Sequence, residues 1–149
     1  MKTKILVAIL VVGFLAACQK DKYNTKPTLV FKSVSTDLVP IGGSLRYEFE
    51  VFDKEGDISD TFYLRRIRLN KRVRPTVGAT DSLKIKFPNV PDTKKGIVEL
   101  NLDYNNYLTA AQNPGNPAEP DTLIFKFAIR DKAKNVSDTF TSNPVVIIR

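Results

Sequence analysis

The chain has 149 residues, a formal net charge of +7 and a moderate 42% of hydrophobic residues. That size suits one domain with a core of its own. It contains no histidine and a single cysteine, Cys18. Neither the commonest general base nor a disulfide framework is therefore available, and the domain must hold together by burial and backbone pairing.

The first segment is an export signal by composition. Lys2 and Lys4 supply a positive start, and Ile5 to Ala17 is an uncharged, mostly apolar run. The run is shorter than the roughly 20 residues that a membrane-spanning helix needs. It closes on Leu15-Ala16-Ala17-Cys18, which resembles the lipobox of bacterial lipoproteins. The resemblance implies cleavage before Cys18 and acylation of that cysteine. The segments are then 1–17 as signal peptide, 18–26 as lipid-anchored cysteine with a polar tether, and 27–149 as the folded domain. The tether, Gln19 to Lys26, has no apolar period and reaches at most roughly 28 Å when extended. Gln19-Lys20-Asp21 is similar to the short tag that sends Bacteroidota-type lipoproteins to the outer face of the outer membrane. The expected location is thus the outer membrane, lipid-anchored through Cys18 and facing the exterior. Nucleic acid is out of reach there. The partners left by this reading are the membrane itself, an outer-membrane protein and a cell-surface glycan.

From Pro27 onward the pattern has period two. Leu45, Tyr47, Phe49 and Val51 alternate with Arg46, Glu48 and Glu50, while Leu123, Phe125, Phe127 and Ile129 lie opposite Lys126 and Arg130. Leu83, Ile85 and Phe87 alternate in the same way, as do Val98, Leu100 and Leu102. Such alternation buries one face of an antiparallel sheet and wets the other. Seven strands are predicted near residues 28–34, 43–53, 61–70, 82–88, 96–103, 121–130 and 138–148. Pro and Gly punctuate the gaps between them. The expected fold is all-β, a seven-stranded Ig-like Greek-key β-sandwich.

One signature occurs twice. Phe49–Phe62 aligns without gaps to Phe127–Phe140, sharing the outer Phe pair, Asp-Lys and Ser-Asp-Thr. Each copy ends a strand, turns through a polar loop and restarts a strand. Asp53 and Asp131 can accept hydrogen bonds from backbone amides two residues on, and Gly56 and Asn135 tolerate positive φ. The second copy resembles the closing hairpin of bacterial Ig-like domains in Bacteroidota surface proteins, roughly Asp-x-Ala-Gly-Asn-x-Ser-Asp-Thr, with Lys134 at the Gly position. Asp53, Glu55, Asp57 and Asp60 form a weak calcium candidate. As an EF-hand loop the run fails, because its sixth position is Ile58 and its twelfth Leu64. A satisfied turn is the expectation, with no metal and no cofactor.

Two further surfaces stand out. Leu64 to Arg74 is rich in cations; with Ile67 and Leu69 inward, Arg66 and Arg68 would project outward beside Lys71, Arg72 and Arg74, suited to anionic groups. Tyr104, Asn105, Asn106, Tyr107 and Gln112 lead into a Pro- and Asn-rich loop and offer a possible glycan or partner contact. The sixteen acids are scattered, with no nucleophile motif. The functional expectation is a non-catalytic binding or scaffolding module. The alternatives are an accessory subunit of an outer-membrane uptake or secretion complex and a carboxylate-dependent glycan hydrolase.

Overall fold

The computed structural model describes residues 26–58, 60–70, 81–87, 91–108 and 119–149. The signal segment, Cys18 and the tether up to residue 25 lie outside the described residues. So do Lys71, Arg72, Arg74 and Gln112.

The chain is an all-β sandwich. Nine strands are described: β1 (Thr28–Val34), β2 (Leu38–Val39), β3 (Ser44–Phe52), β4 (Thr61–Arg68), β5 (Ser82–Lys86), β6 (Lys95–Asp103), β7 (Asp121–Arg130), β8 (Phe140–Thr141) and β9 (Val145–Ile147). A π-type turn, Tyr104–Leu108, follows β6. Among the described residues no helix is long and apolar enough to cross a membrane.

The first sheet has the order β1-β3-β6, and the second β2-β9-β7-β4-β5 with β8 also beside β7. The chain crosses between sheets after β1, β2, β3, β5 and β6. The first sheet thus follows the A-B-E order of an immunoglobulin-type sandwich. The second follows G-F-C, with β5 added beyond C. All strand pairs are antiparallel except β2 with β9.

Six of the expected strands lie where the alternation put them. The differences are β2, too short to show a period, and the last strand. The run 138–148 pairs with β7 only in the pieces β8 and β9. The reason is chemical: Ser137 Oγ accepts the amide of Ile129 at 3.0 Å, and Ser142 Oγ accepts that of Phe125 at 2.9 Å. At those two points a side chain replaces a carbonyl in the ladder, and the strand steps away from its partner.

The core lies between the sheets. Leu45, Tyr47, Phe49 and Val51 of β3 meet Leu123, Phe125, Phe127 and Ile129 of β7, with Phe62 and Leu64 of β4 beside them. The rings interlock: Phe49 and Phe127 lie 4.9 Å apart between centroids, and Tyr47 and Phe127 4.8 Å. Each such side chain contributes about 1.5–3 kcal/mol on burial.

Strand direction gives the sandwich two distinct ends. At the first end β1 begins, β3 turns into β4, and β7 turns towards β8. The second end holds Gly43, Arg68, Asp103, Asp121 and Arg149.

Candidate functional site

At the second end, strand parity corrects the expected arginine face. Phe62 and Leu64 are buried, so period two places Arg66 and Arg68 on the same inner face, and Leu69 is exposed instead. Arg66 is 6% exposed. Its Nη2 and Nε donate to Asp81 Oδ1 at 3.1 and 3.3 Å, and its Nη1 to the Tyr107 carbonyl at 2.5 Å. The three guanidinium nitrogens of Arg68 are sealed from solvent. Burial lowers its pKa, opposed by the nearby Asp121 and reinforced by Arg66 and Arg149. Arg149 Nε donates to Asp121 Oδ2 at 2.8 Å. Arg66 and Arg149 fasten the end of the sandwich, while the Arg68 guanidinium is buried beside them with no hydrogen-bond partner among the described residues, so none of the three presents a surface.

The tyrosine segment closes the same end. Tyr104 is buried, and its hydroxyl donates to the Ile148 carbonyl at 2.7 Å, so its ring is not an outward platform. Tyr107 packs partly against the core. Asn105 is exposed, and Asn106 is exposed but donates twice to Asp103, at 3.0 and 3.1 Å. Two surfaces that read as separate in the sequence are therefore one structural joint, linked through Arg66 and the Tyr107 carbonyl.

The first end holds the acidic residues, regrouped. Asp53 Oδ2 accepts the amides of Gly56 and Asp57 at 2.8 and 2.9 Å, three and four residues on rather than two. Asp131 Oδ1 accepts the amide of Asn135 at 2.8 Å. Positive φ falls on Gly56 and on Lys134, its aligned partner, rather than on Asn135. The two hairpins touch: Asp57 Oδ2 accepts the Ala133 amide at 2.9 Å, and the Asp57 carbonyl accepts that of Lys132 at 2.9 Å. Asp53, Asp57 and Asp131 consequently form a cluster with one carboxylate oxygen of each within 4.8 Å of the others. Burial raises the pKa of Asp57, helped by the facing Asp53 carboxyl and by Asp131. Of the other expected acids, Glu55 is exposed, and Asp60 is turned away to Arg130 Nε at 2.6 Å and Lys134 Nζ at 3.2 Å. Those cations hold the Asp60 carboxyl below its ordinary range. Sequence spacing within one loop could not place Asp131 here; its equivalence to Asp53 in the repeat was the available signal.

The solvent-facing side of the second sheet is the third feature. Because Arg66 points inward, Arg65 points out, directly opposite Lys126 of β7. Tyr63 lies between Ala128 and Lys84 of β5, and Lys86 follows opposite Thr61. Arg65, Lys84, Lys86 and Lys126 are all exposed. Among the described residues none of the four has a carboxylate within ion-pair reach. Like charges placed directly across a ladder are unfavourable, so this face carries an uncompensated positive potential. Tyr63 has the Arg130 guanidinium 5.7 Å above its ring.

No family model matches the chain, and no curated protein is significantly similar to it. Among solved structures, a β-glucosidase from Listeria innocua, in complex with gluconolactone, is similar at 13% identity with a TM-score of 0.41. The likeness covers 84% of this chain, which spans 16% of the length of that one. A resemblance of that size brings neither activity nor ligand to this protein.

Proposed function

We propose that the protein is a non-catalytic binding module, held at the outer membrane through an acylated Cys18 and facing the cell exterior. The observation that carries the binding part is the basic face of the second sheet. Arg65 and Lys126 stand opposite each other, with Lys84 and Lys86 on the neighbouring edge strand and no acid within pairing reach among the described residues. A polyanion relieves that repulsion, and an acidic polysaccharide is the polyanion that a cell-surface domain meets. The lipobox and polar tether support the anchored part. The scaffold suits the task, since a rigid ladder holds the four cations at fixed spacing.

The test is retention of the purified full chain on immobilised polygalacturonate, with neutral dextran as control. Binding to the acidic polymer is expected to fall steeply between low and physiological salt, because exposed charges are screened over about 8–10 Å there. Arg65→Glu combined with Lys126→Glu should abolish retention while leaving the melting temperature within a few degrees. Retention unaffected by that double substitution would sink the reading. An outer-membrane protein recovered with the chain whether or not the face is reversed would favour the accessory-subunit alternative.

A further inference from the structure

We infer that Asp53, Asp57 and Asp131, drawn together by the two copies of the hairpin, hold a calcium ion at the first end of the sandwich. The first support is geometric. One oxygen from each carboxylate lies within 4.8 Å of the other two. Oxygens grouped that closely are near enough for one ion, with its flexible oxygen shell, to draw all three together.

The second support is independent of the grouping and concerns hydrogen bonding. Asp53 is 3% exposed and Asp131 fully buried. The Oδ2 of Asp53 is engaged with the amides of Gly56 and Asp57, and that of Asp57 with the amide of Ala133. The Oδ1 of Asp53 and the Oδ1 of Asp57 are both sealed from solvent with no donor. The two carboxyls lie within hydrogen-bonding reach of each other, yet neither is a donor while ionised. An acceptor buried without a partner destabilises the fold, and more so when it is charged. The neighbouring cations do not neutralise this cluster. Lys132 pairs with Asp92, while Arg130 and Lys134 pair with Asp60. What the two orphan oxygens lack is a positive charge with no steric bulk.

Calcium suits that demand better than a side chain does. It takes hard oxygen ligands in a flexible shell of 6–8, and three carboxylates leave the remaining positions to water. The ion would join the β3–β4 turn to the β7–β8 turn, which the bonds from the Lys132 amide to the Asp57 carbonyl and from the Ala133 amide to Asp57 Oδ2 already hold together.

The test is thermal unfolding of the full chain in detergent, first in EDTA and then with about 10 mM CaCl2, alongside calorimetric titration with the metal alone. For a dissociation constant of about 10⁻³–10⁻⁴ M, as in extracellular modules, calcium is expected to raise the midpoint by about 5–10 °C. Asp57→Asn keeps the acceptor for the Ala133 amide and offers Asp53 a donor. It should melt no lower than the parent in EDTA and lose the calcium response. Asp53→Asn, whose amide oxygen can keep the Gly56 and Asp57 bonds, serves as the second variant with the same expectation. A parent midpoint unmoved by calcium, or a calcium response that survives both substitutions, would overturn the site. Either result would leave two carboxyls sharing a proton as the account of the cluster.

Discussion

Lys134 occupies a backbone conformation, φ of 75°, that its aligned residue in the other hairpin meets with glycine at 88°. For an L-residue the left-handed region costs about 1–2 kcal/mol, and glycine gives back about 0.5–1 kcal/mol through its freer unfolded chain. The Lys134 ammonium reaches Asp60 at 3.2 Å, but its side chain is 63% exposed, so solvent screens most of that pair. Lys134→Gly is therefore expected to stabilise the domain by about 0.5–1 kcal/mol, read as a higher urea midpoint with an unchanged slope. A lower midpoint would mean that the Asp60 contact outweighs the backbone strain. The same comparison shows what a repeated motif specifies: the turn's backbone is reproduced even where the side chain suited to it is missing.

At the scale of elements, the broken last strand is held by two serines in place of carbonyls. Each bonds its partner through both amide and hydroxyl, Ser137 to Ile129 and Ser142 to Phe125; Ser142 is the more telling because the Phe125 ring packs on those of Tyr47 and Phe127. Ser142→Ala leaves the Phe125 amide buried without an acceptor and should cost about 1–3 kcal/mol by denaturant titration. A cost below about 0.5 kcal/mol would show that the ladder closes up once the hydroxyl is gone. The remaining strands were legible because β3 and β7 carry large apolar residues on one parity and charges on the other. β4 was harder to read. Its Leu-Arg-Arg-Ile-Arg-Leu run offers apolar residues on both parities, and Ile67 and Leu69 point to the wrong one. The inner face is fixed instead by Phe62 and Leu64 meeting Phe127, at a distance in sequence that local alternation does not carry. The same parity error hid Arg65 and Lys126 as the outward pair. The acidic cluster was half legible: the turn role of Asp53 follows from one loop, but the company of Asp131 needs the fold.

For the whole molecule, polarity follows from where the chain enters. β1 starts at Thr28 opposite Phe52, beside the Asp53 turn, and Lys26 reaches Asp138 at 2.5 Å. A tether of at most roughly 28 Å keeps that end next to the lipid layer if Cys18 is acylated. The turn through Ile41, 66% exposed at the other end, then points away from the membrane. If Cys18 is acylated it leaves no competing thiol in this chain, so single cysteines report position directly. On intact cells of the native organism, a membrane-impermeant maleimide should label Ile41→Cys readily and Lys54→Cys, in the tether-end turn, more slowly. Equal rates, or the reverse order, would mean that the sandwich lies flat or inverted on its anchor. Labelling of both variants only after lysis would place the domain on the periplasmic side, where an acidic polymer of the cell surface is no longer its partner. The basic face runs along the flank of the sandwich between the two ends. Its access to a large ligand therefore depends on the domain standing upright, which the two labelling rates measure together.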